Sequence, residues 1–445
     1  MSDFALSSGS RLSLKGVRPL RFFEEARLQA YGYTVAIIYV IAFVHFYRVG
    51  AWILDAEGAP AYTEFTTIWV TGIEALRGGA ARLYDSTEFL KIQAAVLGNR
   101  EFFYPNWPYP PTFLLIAAPF GALPYFYAFL AWGAITLLGF VVVIYSIVRR
   151  LPAIALALAC PFTAWNFLAG QNGFLTGALL GAGLLCLERR PILAGVFIGC
   201  LTYKPQFGIL FPVALIASRQ WRTFAAAAIT AAVLAGISIA AFGLGPWQLL
   251  PEALLTQNSV VLFAGGQADG LDDWGRIQTV YGIVRLLHGG AGLASLLQAV
   301  STLVFTLIVW IVWRSAARHA LKAAVFSAAA LIATPYAFSY DLAAIAVPVA
   351  FLVADQLRHG LLRGEQTVLL ALFGGLLAAL VVFQDPPEGL TFGSLPLGPV
   401  LVIAVLVLVV RRLSWAPHND PFLAASALGV RRMPHNGSGK GVYVP

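Results

Sequence analysis

The stretch YFYAFLAWGAITLLGFVVVIYSIVRR, residues 125–150, decides the fold class. From 125 to 148 it carries no charged side chain, and it exceeds the roughly 20 residues a helix needs to cross a bilayer. Arg149 and Arg150 then close it. Comparable apolar runs lie at 32–54, 152–168, 173–187, 191–203, 206–218, 223–242, 291–313, 323–337, 341–357, 366–383 and 395–410, making twelve candidate spans. Several are short enough to be helices that dip toward a cavity. The expected fold is an all-α polytopic membrane bundle of about twelve transmembrane helices.

Composition agrees. Of 445 residues 59% are hydrophobic and 11% charged, with a formal net charge of +8, whereas an ordinary soluble domain has about 25% charged residues. A water-soluble enzyme, a secreted disulfide scaffold and a nucleic-acid reader are excluded. Cys160, Cys186 and Cys200 sit in apolar runs and suit packing. The six histidines are scattered and form no metal-ligand cluster. The first run follows an Arg-rich stretch (Arg11, Lys15, Arg18, Arg21, Arg27) and reads as an uncleaved anchor.

Basic clusters follow most spans: Arg149/Arg150, Arg189/Arg190, Arg219/Arg222, Arg314/Arg318/Lys322, Arg358/Arg363, Arg411/Arg412 and Arg431/Arg432/Lys440. With residues 1–30 in the cytoplasm, all of them fall on that side, as the positive-inside rule requires. The proline-punctuated stretch 111–123 must then be re-entrant or interfacial. Residues 31–412 form the membrane domain, and 413–445 are expected to be a disordered cytoplasmic tail.

The outer segments then are 55–110, 169–172, the turn at Lys204, 243–290, 338–340 and 384–394, and they hold nearly all the unusual polar residues. Such a collection at one membrane face suits an enzyme working there; a carrier places ionisable groups near mid-membrane in repeated halves. A transporter or flippase of a lipid-linked sugar is the alternative. Residues 64–76, EFTTIWVTGIEAL, set Phe65, Ile68, Trp69, Gly72, Ile73 and Leu76 on one helical stripe and Glu64, Thr67, Thr71 and Glu74 on the other, an amphipathic interfacial helix. Asp85 is placed either to cap a second helix over 85–98 or to act in the site. FFYPNWPYPP (102–111) supplies Tyr104, Trp107 and Tyr109, either an interfacial belt or a stacking surface for a sugar or lipid.

In GQNG (170–173) the glycines allow close backbone approach, and two side-chain amides offer several donors and acceptors. A plain turn explains Asn172 and Gly173 but not Gln171. Lys204 in YKPQ lies between short apolar runs, where a cation needs an anion or water. A lipid phosphate is one partner; snorkelling to the headgroups is the other reading. Arg276 is a second phosphate candidate, since a guanidinium forks onto phosphate oxygens. Asp269, Asp272 and Asp273 offer either a weak divalent-cation site or a solvated loop. In TPYAFSYDL (334–342), Asp341 either caps the next helix or contacts the sugar.

Taken together, EFTTIW (64–69), LYD (83–85), FFYPNWPYPP, GQNGFLTGALL (170–180), YKPQFGIL (203–210), WGRIQTVYGIVR (274–285) and TPYAFSYDL resemble the bacterial membrane glycosyltransferases of family 87, over about residues 60–350. These are polyprenyl-phosphate-mannose-dependent enzymes of the GT-C fold. The resemblance implies transfer of a hexose, most readily mannose, from a polyprenyl-phosphate donor to a glycolipid or glycan acceptor at the periplasmic face of the bacterial inner membrane. A first-loop acid serves as base in that family, usually Asp where this chain has Glu64; Asp55 is the second choice. Glu64 would be ionised at neutral pH with an ordinary carboxylate pKa of about 4.3. Lys204 and Arg276 would take the donor phosphate. Asp85, Tyr104, Tyr109, Gln171, Asn172, Gln206, Trp274, Gln278, Tyr340 and Asp341 would hold sugar or acceptor. No cofactor, no metal ligand set, no nucleic acid and no protein partner is implied, although a divalent cation stays open.

Overall fold

The computed structural model describes residues 22–61, 63–98, 107–258, 274–382 and 395–419. Within them the chain is all-helical, with a few isolated bridges and no strand. In chain order the helices are α1 (Phe22–Arg48), α2 (Phe65–Leu76), α3 (Ser86–Leu97), α4 (Leu114–Gly121), α5 (Tyr125–Val148), α6 (Leu151–Ala159), α7 (Pro161–Ala169), α8 (Gly173–Cys186), α9 (Pro191–Cys200), α10 (Phe211–Ala217), α11 (Trp221–Phe242), α12 (Gly245–Asn258), α13 (Val280–Leu286), α14 (Ala291–Arg314), α15 (His319–Ile332), α16 (Ala346–His359), α17 (Glu365–Val382) and α18 (Leu397–Asn419). α18 continues past 412, so the first residues of the expected tail are helical.

Among the described residues, seven helices are long and apolar enough to cross a membrane: α1, α5, α11, α14, Ser339–His359, α17 and α18. The pair α6–α7 makes an eighth if its 59° bend at Cys160 and Pro161 is counted within one span. Of the twelve expected spans, these seven or eight have the length and composition of a full crossing among the described residues. The runs at 173–187, 191–203, 206–218 and 323–337 are helical, but α8 and α15 have only 14 residues each. At 1.5 Å per residue that is about 21 Å, short of a hydrocarbon core of about 30 Å. α4 and the 3-10 turn before it, Pro111–Gly121, are shorter still.

Burial separates the two kinds of helix. From Ala323 to Ile332 every residue of α15 is buried, with α14, α16 and α18 around it. By contrast α1, α11 and α14 point Ile37, Ile41, Ile229, Val233, Leu303 and Leu307 outward, the surface a bilayer would cover. Small residues permit the closest packing, as in membrane bundles generally. A Cβ on Gly195 or Gly199 of α9 would strike Thr223 through Thr230 of α11, and one on Gly177 or Gly181 of α8 would press on Phe140 and Val143 of α5.

α2 departs from the interfacial helix expected of it. Its apolar stripe is largely buried, but so are Glu64, Thr67, Thr71 and Glu74. α4 covers the apolar stripe backbone to backbone, where a Cβ on Gly72 would run into the Ala117 carbonyl and one on Gly121 into the main chain of Gly72 and Ile73; the polar side is met by Gln171 and Arg276 at Glu64 and by Gly79 and Arg82 at Glu74. Phe65 stacks with Trp132 of α5 and meets Phe129 edge-on. The helix is therefore built into the bundle, with Glu64 at its inner end.

Candidate active site

Glu64 stands at the start of α2, but its side chain makes no capping bond to the helix and is available elsewhere. Its Oε2 accepts a hydrogen bond of 2.6 Å from Gln171 Nε2, and Oε1 accepts one of 3.0 Å from Arg276 Nη2. Glu64 is 9% exposed, whereas the Arg276 side chain is 44% exposed. Burial pushes the Glu64 carboxyl above its usual range, and the charge of Arg276 followed by the Gln171 hydrogen bond pulls it back only in part. This corrects the expectation of an ordinary carboxylate pKa, which suited a solvated helix start.

Opposite Glu64 lies the turn between α7 and α8. Gly170 adopts a left-handed conformation at φ 69°, and a Cβ there would clash with Phe65 and Phe129. The Trp132 indole donates to its carbonyl at 2.9 Å. Both amides of the turn are engaged. The Gln171 carbonyl oxygen accepts from the Asn172 backbone N–H at 3.2 Å. Asn172 donates through Nδ2 to the Tyr109 hydroxyl and accepts through Oδ1 from Lys204 Nζ, each at 2.9 Å. A plain turn needs none of this.

Lys204, 3% exposed, donates to Asp341 Oδ1 at 2.5 Å, and its ammonium lies over the rings of Phe207 and Tyr340 at 5.3 and 5.2 Å. Asp341 Oδ2 accepts from the Phe338 backbone N–H at 3.1 Å, so one carboxylate both caps its helix and pairs with the lysine. The cation that looked isolated in the sequence has its anion within the chain and does not snorkel. Tyr340 stacks on Phe338 at 5.6 Å between centroids. Tyr109, half-buried, has its hydroxyl held well above the usual tyrosine range, chiefly by burial.

The other expected site residues are placed differently. Gln278 donates to the Gly275 and Leu395 carbonyls and accepts from the Gly398 N–H, so its whole amide ties α18 to the turn before α13. Trp274 is packed against Tyr281 with the Arg285 guanidinium 4.2 Å over its ring. Asp85 is exposed and caps α3 by accepting from the Glu88 N–H. Asp55 shapes its own turn, accepting from the N–H groups of Glu57 and Ala59. Gln206 is half-buried beside Lys204. Trp107 is fully buried and stacked on Phe113, a core residue rather than a surface platform. Tyr104 and Asp269, Asp272 and Asp273 lie outside the described residues.

Sequence reading missed Asn166, a buried amide inside an apolar run. Its Oδ1 accepts from the Gly173 N–H at 2.9 Å and closes the GQNG turn from behind. It also missed Thr176, whose hydroxyl meets that of Tyr203 at 2.6 Å next to Lys204. Polar side chains on either side of the turn within apolar runs (Asn166 before it, Thr176 one helical turn after Asn172) were the available signal.

The profile of glycosyltransferase family 87 matches residues 107–338, just over half of the chain. The chain belongs to this family. It is a membrane glycosyltransferase. No curated protein and no solved structure matches it. Gln171, Asn172, Lys204 and Arg276 of this family 87 member fall inside the matched stretch; Glu64 precedes it and Asp341 follows it by three residues.

Proposed function

We propose that the chain transfers a hexose, mannose by the family resemblance, from a polyprenyl-phosphate donor to a glycolipid or glycan acceptor, with Glu64 as general base. The observation that carries this is Glu64 itself: a buried carboxylate, unused by its own helix, held by the Gln171 amide and paired with a half-exposed arginine.

The chemistry demands three things. The acceptor O–H must lose its proton, its oxygen must attack C1 in line, and the C1–O bond to phosphate must break with its electron pair leaving on the phosphate. Glu64 takes the proton. Its raised pKa makes it a stronger base than a solvated glutamate, nearer the operating pH where a base works best. Arg276 offers a planar fork of N–H donors, and a guanidinium held at Glu64 brings a fixed positive charge to the site, where it stabilises the charge that grows on the phosphate leaving from the far side of C1. Lys204 holds Asn172 and Asp341 in place and adds positive potential. Tyr109, half-buried, is the aromatic side chain offered to a sugar ring, while Tyr340 is buried under Lys204 and backs the pair from behind. In-line displacement gives inversion at C1.

The test is purified protein in detergent with polyprenyl-phosphate-mannose and a lipid extract as acceptor. Release of polyprenyl phosphate together with a mannosylated product is expected, and Glu64→Gln should fold normally yet make none. Detergent leaves no second compartment, so a carrier would produce no new covalent product.

A further inference from the structure

Resting on the assignment of Glu64 as base, we propose that Gln171 is a positioning residue for that base rather than a ligand of the sugar. Its amide holds Oε2 of Glu64, so that Oε1, which accepts from Arg276 through one lone pair, meets the acceptor hydroxyl with the other.

Three observations carry this. First, the orientation of the amide is settled by its surroundings. Its oxygen accepts from the N–H of Asn172, and a flipped amide would set that oxygen against the Glu64 carboxylate, so the NH2 must face Glu64. Second, the gap that the side chain bridges is fixed by packing. The missing side chain of Gly170 lets the turn rest directly on Phe65, the neighbour of Glu64, and Trp132 pins the carbonyl of Gly170. Third, Gln171 is 6% exposed and both ends of its amide are in use, which leaves it little capacity for a hydroxyl of the substrate.

One turn therefore serves the two halves of the site separately. Gln171 reaches Glu64 and, through it, Arg276; Asn172 reaches Tyr109 and the Lys204–Asp341 pair. A bond at 2.6 Å to an ionised oxygen is of the strong, charge-assisted kind. It favours the carboxylate form and restricts rotation about the last bond of the glutamate.

The experiment compares wild type with Gln171→Met, which keeps the volume, and Gln171→Glu, which keeps the shape, using polyprenyl-phosphate-mannose as donor and recording kcat and KM against pH. Arg276, Lys204, Asp341 and Tyr109 also act on Glu64, so they are left unchanged. Loss of a hydrogen bond to a charged group corresponds to roughly a ten- to hundredfold fall in kcat for Gln171→Met, with donor KM within about twofold of wild type and the acid limb moved to higher pH. Gln171→Glu should move that limb further, because two adjoining carboxyls share a proton. A tenfold rise in donor or acceptor KM with an unmoved acid limb, beside an inert Glu64→Gln, overturns the positioning role alone. Full activity in Glu64→Gln overturns the base assignment and this inference with it. If Gln171→Met does not fold, the acid limb of Gln171→Glu decides in the same way.

Discussion

Lys204 and Asp341, 137 positions apart in sequence, meet at 2.5 Å with side chains 3% and 0% exposed. Such a pair has given up its hydration and depends on its partners, here Asn172 for the lysine and the Phe338 N–H for the aspartate. Removing one member leaves the other charge uncompensated, at a cost of about 3–5 kcal/mol. Lys204→Met should therefore lower the thermal midpoint of the detergent-purified protein markedly, and the double variant Lys204→Met/Asp341→Asn should regain most of it. If Lys204→Met melts like wild type and loses only donor affinity, the lysine serves the donor and not the fold.

Activity should have an acid limb above the ordinary carboxylate range. Burial raises the pKa of Glu64, the base acts only when deprotonated, and so the rate must fall as pH drops through that raised value. A kcat profile flat down to about pH 4.3, the unperturbed glutamate value, would count against Glu64 as the base.

Arg276→Lys keeps the charge and loses the planar fork. If the guanidinium held at Glu64 stabilises the charge that grows on the leaving phosphate, kcat should drop by about tenfold or more, as expected for one lost charge-assisted hydrogen bond. Single-turnover measurements at saturating donor check this, and an unchanged rate would remove Arg276 from the reaction.

Gly72→Val should disable the protein from outside the site. Its side chain would collide with the Ala117 carbonyl, forcing α2 off α4 at a cost of about 1–3 kcal/mol or more, and α2 carries Glu64 at its end. Both melting temperature and kcat should fall. Gly236, inside α11 and facing open space, is the control: Gly236→Ala should lower neither, since alanine is the better helix former.

At the basic ends of the later helices, fully buried Arg412 pairs with Glu365 at 2.7 Å and Asp355 at 2.6 Å, while Arg318 reaches Asp355 at 2.7 Å. Arg412→Met strands Glu365 and should cost about 3–5 kcal/mol, seen as early release of α17 and α18 to protease. Turnover at low temperature should survive, because nothing here touches the Glu64 cluster.

Much of the bundle was legible because apolar length is a local property. All twelve runs contain helix, and the proline-rich stretch after 110 is short, as its punctuation implied. Which helices reach across was not legible, since α8 and α15 are as apolar as the spans and differ from them by a few residues at each end. The site was half legible. Glu64, Gln171, Asn172, Lys204, Arg276 and Asp341 stand out because polar groups in apolar surroundings need partners. Who partners whom is a non-local matter, and so Lys204 looked unpaired while Asp341 lay far along the chain. Gln278 misled for the same reason: its amide closes on Gly398, 120 residues later.

Gly173 touches the carbonyl of Tyr340 so closely that no methyl group could stand between them. The spacing of Asn172 from Asp341 is thus gauged by an atom that is missing. A relative with alanine at the equivalent place must have parted these two segments, and with them the amide and the acid they carry. Reading that single letter in a new sequence is a way of sorting which cousins share this geometry before any of them is purified.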